Sequence, residues 1–370
     1  MPKKKSAELA PPPPPHEVEP PKPFTGQRHV VDYFRRIGPS GLAHAYLFHG
    51  PRGVGKRSFA NALAWTLHCE RPTSFPLGYC GTCGPCIRGI AGSSGDLIVV
   101  DEDFIHEADA LAGTPERKTS DFGIEASRRI ISLMEMKSYE GGRLITIVPD
   151  FENVTKIEAY NVLLKQLEEP DPGKLFLITA ERAESIIETI RSRTVAIRFD
   201  LLGEKDIAEQ LVRHYGQNKT RAATIAARSL GSLGHAIEEL DEGAAGLRQA
   251  ARDWFLACLR TPQALPPIPP LEKDDREAAR GQLDDILRQA RITARDLMVT
   301  ALGGERLAFD RESAPEYKKT IAALGARAHE RPASAIAAIN EAERLNSTTN
   351  VAPSAILGWL QIQLRADGVR

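Results

Sequence analysis

The chain has 370 residues, a length for two or three domains, with 48 Lys and Arg against 49 Asp and Glu and a net charge of -1. Hydrophobic residues make up 42% and charged residues 26%, a globular composition that excludes a histone-like or uniformly basic nucleic-acid binder. No apolar run approaches the ~18 residues of a membrane span and the N-terminus lacks an apolar signal core, so a cytosolic protein is expected. The first predicted segment, residues 1–22, carries Lys3-Lys4-Lys5 and the run Pro11–Pro15. It cannot bury a core and reads as an extended tail, either a docking peptide or a solubilising one.

From Pro23 the chain alternates short apolar runs with helical patterns. Strands are expected at Ala45–His49, Leu97–Val100, Arg143–Val148, Lys174–Thr179 and Val195–Phe199. Helices are expected at Gly55–His68, Ile124–Met136 and Val154–Leu167. This order predicts a parallel sheet covered on both faces over residues 23–200. The strand signal then stops. A small helical segment follows over 201–243, with Gly231-Ser-Leu-Gly234 inside it, and a helical bundle over 244–370, broken by the loop Pro262–Pro270. Leu283, Ile286, Leu287, Ala290 and Leu297, and later Ile336, Ile339 and Leu345, recur at helical spacing as a bundle core would require.

Gly50-Pro-Arg-Gly-Val-Gly-Lys56 lies between a predicted strand and a predicted helix. There, backbone N–H groups around Gly50, Gly53 and Gly55 could cradle phosphate, with Lys56 neutralising its charge. The residue after the lysine should carry a magnesium-binding hydroxyl but is Arg57, and Ser58 sits about 100° further round the helix. The third strand ends on Asp150, yet Phe151 stands where a second carboxylate would polarise water, and Glu152 is displaced by one residue. Phosphoryl transfer relies on those groups. Weak or absent ATP and Mg²⁺ binding, with little or no hydrolysis, is the expectation.

Cys69-x10-Cys80-x2-Cys83-x2-Cys86 is the strongest chemical signal in the sequence. Four thiolates at this spacing suit a tetrahedral Zn²⁺ with no open position, a structural and not a catalytic site. An iron–sulfur cluster is the less fitting alternative. His68 is expected on the surface, and Cys258 in the core of the bundle.

Phe24-Thr-Gly-Gln27, His44-Ala-Tyr-Leu-Phe-His-Gly-Pro51, the interrupted phosphate loop, the four-cysteine insertion, Asn161-Val-Leu-Leu-Lys-Gln-Leu-Glu-Glu-Pro170 and Ile190-Arg-Ser-Arg193 follow one another in an order that resembles the bacterial clamp-loader proteins of the AAA+ class. Within that class the chain is most similar to subunits of the delta-prime kind, well over Pro23–Asp200 and weakly in the bundle apart from Asn350-Val-Ala-Pro353. The resemblance implies an α/β AAA+ domain with a zinc-knuckle insertion, a helical lid and a C-terminal collar. It also implies membership of the DNA polymerase III holoenzyme, with motor (gamma/tau-like) and delta-like partners, and action on a sliding clamp and primed DNA. A subunit of this kind would be a rigid member that does not hydrolyse ATP. The family's Ser-Arg-Cys motif, here Ser192-Arg193-Thr194, implies that Arg193 reaches the ATP site of a neighbouring motor subunit. Motor subunits carry an arginine where this chain has Gly234. Two alternatives compete with this reading: an active AAA+ ATPase using Lys56 and Asp150, and a zinc-dependent nucleic-acid-binding module. The second is poorly supported, since only Arg71 and Arg88 flank the cysteines.

Overall fold

The computed structural model describes residues 21–113, 122–139, 142–154, 157–169, 171–240, 243–260, 266–272, 275–311, 313–349 and 351–366. The polybasic and polyproline stretch through residue 20, Pro170, the start of the proline loop (261–265) and Asn350 lie outside these residues. The described chain divides into two compact units. One runs to Tyr215 and includes Gly231–Gly234; the other holds Gly216–Leu230 and the residues from His235 onward.

In the first unit the elements run α1 (Arg28–Ile37), β1 (Ala45–His49), α2 (Lys56–His68), α3 (Gly84–Ile90), β2 (Leu97–Val99), α4 (Glu102–Leu111), α5 (Ile124–Met134), β3 (Leu144–Val148), α6 (Ile157–Glu168), β4 (Lys174–Ala180), α7 (Glu188–Arg191), β5 (Val195–Arg198) and α8 (Glu204–Tyr215). The five strands form one parallel sheet in the order β2-β3-β4-β1-β5, with Leu47 beside Ile178 on one side and Ala196 on the other. Strand side chains alternate between faces, so β1 feeds two cores. Ala45 and Leu47 join Phe176 and Ile178 against Ile105, Ile130 and Leu163, while Tyr46 and Phe48 join Ile145 and Leu177 against Phe34, Phe59 and Leu63. Burial on both faces is why these strands read as unbroken apolar runs. The whole is an α/β architecture, a parallel sheet with helices on both faces.

Several boundaries shift by one to three residues from expectation, among them the end of helix α5, at Met134 and not Met136. The second strand stops at Val99, although Val100 still donates to the carbonyl of Ile147 at 2.9 Å. The helix expected from Val154 does not include that residue, which is extended after a 3-10 turn at Phe151–Asn153; among the described residues the helix runs over Ile157–Glu168.

The second unit is helical: α9 (Lys219–Arg228), the part of α10 (Leu233–Glu238) from His235 on, α11 (Gly243–Arg260), α12 (Arg276–Ala301), α13 (Ala314–Leu324), α14 (Glu330–Thr348) and α15 (Pro353–Ala366). Leu283, Ile286, Leu287, Ala290, Leu297 and Ile339 are fully buried in its core with Trp254 and Cys258, and Ile336 and Leu345 pack against them. Among the described residues no helix is long and apolar enough to cross a membrane.

Candidate functional site: the two ends of helix α2

Loops at the carboxyl ends of parallel strands converge on one edge of a sheet, where ligands of such folds bind. Here that edge gathers the loop after β1 (Gly50–Gly55), Asp150 after β3 and Glu181 after β4. Lys56, the first residue of α2, is only 7% exposed. Its Nζ does not point outward to an open cradle. It donates to the carbonyl oxygens of Gly50 (2.6 Å) and Pro51 (2.9 Å) within its own loop. Burial lowers its pKa, and the nearby Asp150, Glu181 and Glu152 carboxylates oppose that shift.

The loop is also packed from outside by the chain itself. Gly234 N–H donates to the carbonyl of Gly53 at 2.9 Å. A Cβ on Gly53 would lie 2.2 Å from Ser232 Oγ, and one on Gly234 would lie 2.7 Å from the Gly53 Cα. Gly53 also holds φ +72, in the left-handed region that glycine adopts freely. On its other flank the loop meets the N-terminal segment. A Cβ on Gly55 would come within 3.0 Å of the Phe24 ring, which sits edge-on to Phe59. Gln27 is nearly buried; its amide donates to the carbonyls of Val54 (3.3 Å) and Asp200 (2.6 Å) and accepts from Asp200 N–H at 3.0 Å. The sequence marks Phe24-Thr-Gly-Gln27 as a motif; its task of strapping the phosphate loop to the end of β5 emerges only in three dimensions.

The acid side of the site is rebuilt as core. Phe151 is fully buried, edge-on to Phe122 and to Tyr160, whose hydroxyl donates to the carbonyl of Val154. Asp150 is exposed at φ 46, its N–H held by Thr179 Oγ1 at 3.0 Å. Glu152 turns back to accept from Glu181 N–H at 2.8 Å, leaving its Oε2 buried with no hydrogen-bond partner among the described residues. Burial accordingly raises its pKa. Arg57 and Ser58 are both exposed on α2. Glu181 is the charged neighbour of Lys56 that sequence reasoning missed, since a carboxylate after an apolar strand carries no motif of its own.

The opposite end of α2 is complete where the first is degraded. The helix stops at Cys69, and Cys83 caps α3, which carries Cys86 in its first turn. The Sγ atoms of Cys69, Cys80, Cys83 and Cys86 all lie within 4.8 Å of one another. A tetrahedral zinc with Zn–S of about 2.3 Å requires edges of about 3.8 Å, so a small contraction would close the site. None of the four is in a disulfide. Cys80 Sγ accepts from Cys83 N–H (3.3 Å), and the Thr82 and Cys83 donors pull its pKa down to about 5. Burial pushes the Cys69 and Cys86 thiols up. Four thiolates this close repel one another, and a divalent cation is the group that would hold them together. His68 is not the surface residue expected: it is half-buried, with Nε2 2.7 Å from the carbonyl of Arg143, and it stands outside the sulfur cluster. Trp65 stacks edge-on against Tyr79 beside the knuckle.

Arg193 follows α7. Its Nη2 pairs with Glu168 Oε1 at 2.6 Å, and its Nη1 donates to the carbonyl of Thr189 at 2.8 Å, with a third of the side chain exposed.

The comparisons bear on this set of residues. Residues 26–202 match the family model described as DNA polymerase III, delta subunit. The DNA polymerase III subunit delta' of Pseudomonas aeruginosa is 31% identical over 176 residues, 48% of this chain and 49% of that protein. The subunit delta' of Haemophilus influenzae is 29% identical over 66% of this chain and 68% of its own, and the gamma/tau subunit of Mycobacterium bovis 32% over 51% and 30%. Among solved structures, a gamma subunit-related protein of Thermotoga maritima aligns over 91% of this chain and 98% of its own at 14% identity and a TM-score of 0.39. The chain spans about half the length of the Pseudomonas relative and under a third of the Mycobacterium one. The matched region holds the phosphate loop, the four cysteines and Arg193, and over it this chain is similar to DNA polymerase III subunits of the delta' kind.

Proposed function

We propose that the chain serves a clamp loader as its non-hydrolysing member, lending Arg193 to the ATP site of a neighbouring motor subunit while the complex places a sliding clamp on primed DNA. The observation that carries the reading is the filled phosphate loop: Lys56 spends its ammonium on the carbonyls of Gly50 and Pro51, and Gly234 packs against Gly53. A nucleotide would have to displace both. With Arg57 in the hydroxyl position and Phe151 in the core, the hydroxyl that would hold magnesium beside Asp150 and the second acid that would activate water are both missing. The competing active-ATPase reading needs Glu152 at the γ-phosphate, but that carboxylate is committed to the Glu181 N–H.

Within this role the four cysteines would hold a structural Zn²⁺ that ties the end of α2 to α3, residues 201–243 would act as a lid, and 244–370 as a collar joining motor and delta-like subunits. The chain would work in the cytosol. An arginine supplied in trans is worth about 10³–10⁵ in rate where measured. In the complex reconstituted with motor and delta-like subunits, Arg193→Ala is expected to leave assembly intact and lower clamp-stimulated ATP turnover. Unchanged turnover removes the trans role. Brisk Mg²⁺-dependent hydrolysis by the purified chain alone, lost in Lys56→Ala, removes the non-hydrolysing one.

A further inference from the structure

Two sequence motifs remain without a shared purpose, Asn161–Pro170 and Ile190–Arg193, and the structure joins them through one pair. Glu168 is the last residue of α6, and its Oε1 lies 2.6 Å from Arg193 Nη2. The other terminal nitrogen, Nη1, donates to the Thr189 carbonyl at 2.8 Å and to Ser192 Oγ at 3.2 Å. Three acceptors from two elements therefore fix both ends of the guanidinium fork. The charges suit the geometry: a carboxylate at a helix C-terminus is unfavourable and calls for a cation, and the carbonyl end of α7 attracts the same one.

Helix α6 is itself anchored. Tyr160 packs edge-on against the buried Phe151 at 5.1 Å, Leu163 and Leu167 are buried in the sheet core, and the Ala159 carbonyl accepts from Ser127 Oγ at 2.9 Å. We infer that Glu168 is a positioning residue for Arg193. Carried on a rigid helix, it orders the guanidinium before a neighbour arrives, while Nε and the second Nη2 proton stay available to an anion. A free arginine side chain loses rotamer entropy when it binds, and ordering it in advance removes part of that cost from the encounter.

This rests on the arginine-donating role proposed above, and the experiment separates the two. Clamp-stimulated ATPase of the reconstituted complex is measured for Glu168→Ala, Glu168→Gln, Arg193→Ala and the double variant Glu168→Ala/Arg193→Ala. Because exposed pairs contribute at most about 1 kcal/mol, Glu168→Ala is expected to lower kcat about 3–5-fold with little change in KM for ATP. Glu168→Gln, which keeps an acceptor oxygen, should restore most of the rate. In the Arg193→Ala background the alanine should add nothing, since its effect passes through the arginine. A drop in the double variant beyond Arg193→Ala, or full activity in Glu168→Ala, overturns the positioning role. Full activity in Arg193→Ala overturns the arginine donation itself. Melting temperatures of the purified variants identify any loss that is merely structural.

Discussion

Helix α2 begins at the phosphate loop and ends at the first cysteine, and its two ends have fared differently. At the N-terminus the loop keeps its glycines and lysine, yet the lysine's ammonium is taken by the carbonyls of Gly50 and Pro51 and the Gly53 carbonyl by the Gly234 N–H. At the C-terminus all four sulfur donors remain and converge, each within 4.8 Å of the others. Degradation of a ligand site and retention of its backbone are thus separable. Gly53 and Gly234 touch so closely that a Cβ on either would clash, which gives the loop's glycines a packing role with no ligand in it. The cysteine cluster has the donor set that a metal ion would need.

The largest way to break this contrast is to remove the metal. Structural Cys₄ sites gain about 10–16 kcal/mol of apparent binding energy in zinc-finger peptides, so Cys86→Ser should cost the knuckle its zinc and its fold. Elemental analysis is expected to find one zinc per wild-type chain and none in the variant, whose thermal unfolding should fall sharply. A wild-type chain purified without chelators that is metal-free and melts as it does with added zinc would make the cluster an ordinary thiol core.

Next in size is Phe151→Asp, which restores a carboxylate to the acid position. Phe151 is fully buried between Phe122 and Tyr160. Losing that ring costs about 3–5 kcal/mol before the buried charge is counted. Urea denaturation should show a loss of at least that size and ATPase assays no gain. A stable variant that hydrolyses ATP would mean the loop is only closed for want of an acid.

A smaller effect tests the closure itself. Gly53→Ala meets both a left-handed backbone and Ser232 Oγ, and should cost about 1–2 kcal/mol from the backbone alone. If the loop is filled by the chain, Mg²⁺-ATP should raise the melting temperature of neither wild type nor variant. Protection of the wild type by millimolar ATP would show that the loop still opens.

How much of this was legible beforehand follows from which physics is local. The strands of the sheet were readable because burial on both faces writes continuous apolar runs, and β1 and β4 start where the sequence placed them. The cysteine site was legible because ligand spacing survives folding as proximity. What failed was orientation. Lys56 was read as facing phosphate, but nothing in Gly50–Lys56 announces that its own carbonyls take the ammonium. His68 was assigned to the surface because its acceptor, Arg143, is far along the chain. Phe151 was read as an absent acid; only packing reveals it as the anchor of α6. The pairing of Glu168 with Arg193 likewise joins residues whose motifs carry no mark of one another.

The smallest effect lies in the titration of Glu152. Its Oε1 is held by the Glu181 N–H while Oε2 is buried without a partner among the described residues, and burial raises its pKa above the ordinary 4.5, with the Asp150 and Glu181 carboxylates adding to the shift. Its own N–H and that of Glu181 oppose the shift but do not cancel it. A group whose pKa is higher folded than unfolded holds its proton more tightly in the native state, so its contribution is present below pH 4.5 and is lost as pH rises through the folded value. Glu152→Gln keeps an oxygen for the Glu181 N–H and never ionises. Its stability relative to wild type should therefore be lowest in acid and improve as the pH is raised through that window, by urea denaturation at fixed ionic strength. The opposite slope would mean that Lys56 leaves its carbonyls to pair with Glu152, and the loop would then be open to phosphate after all.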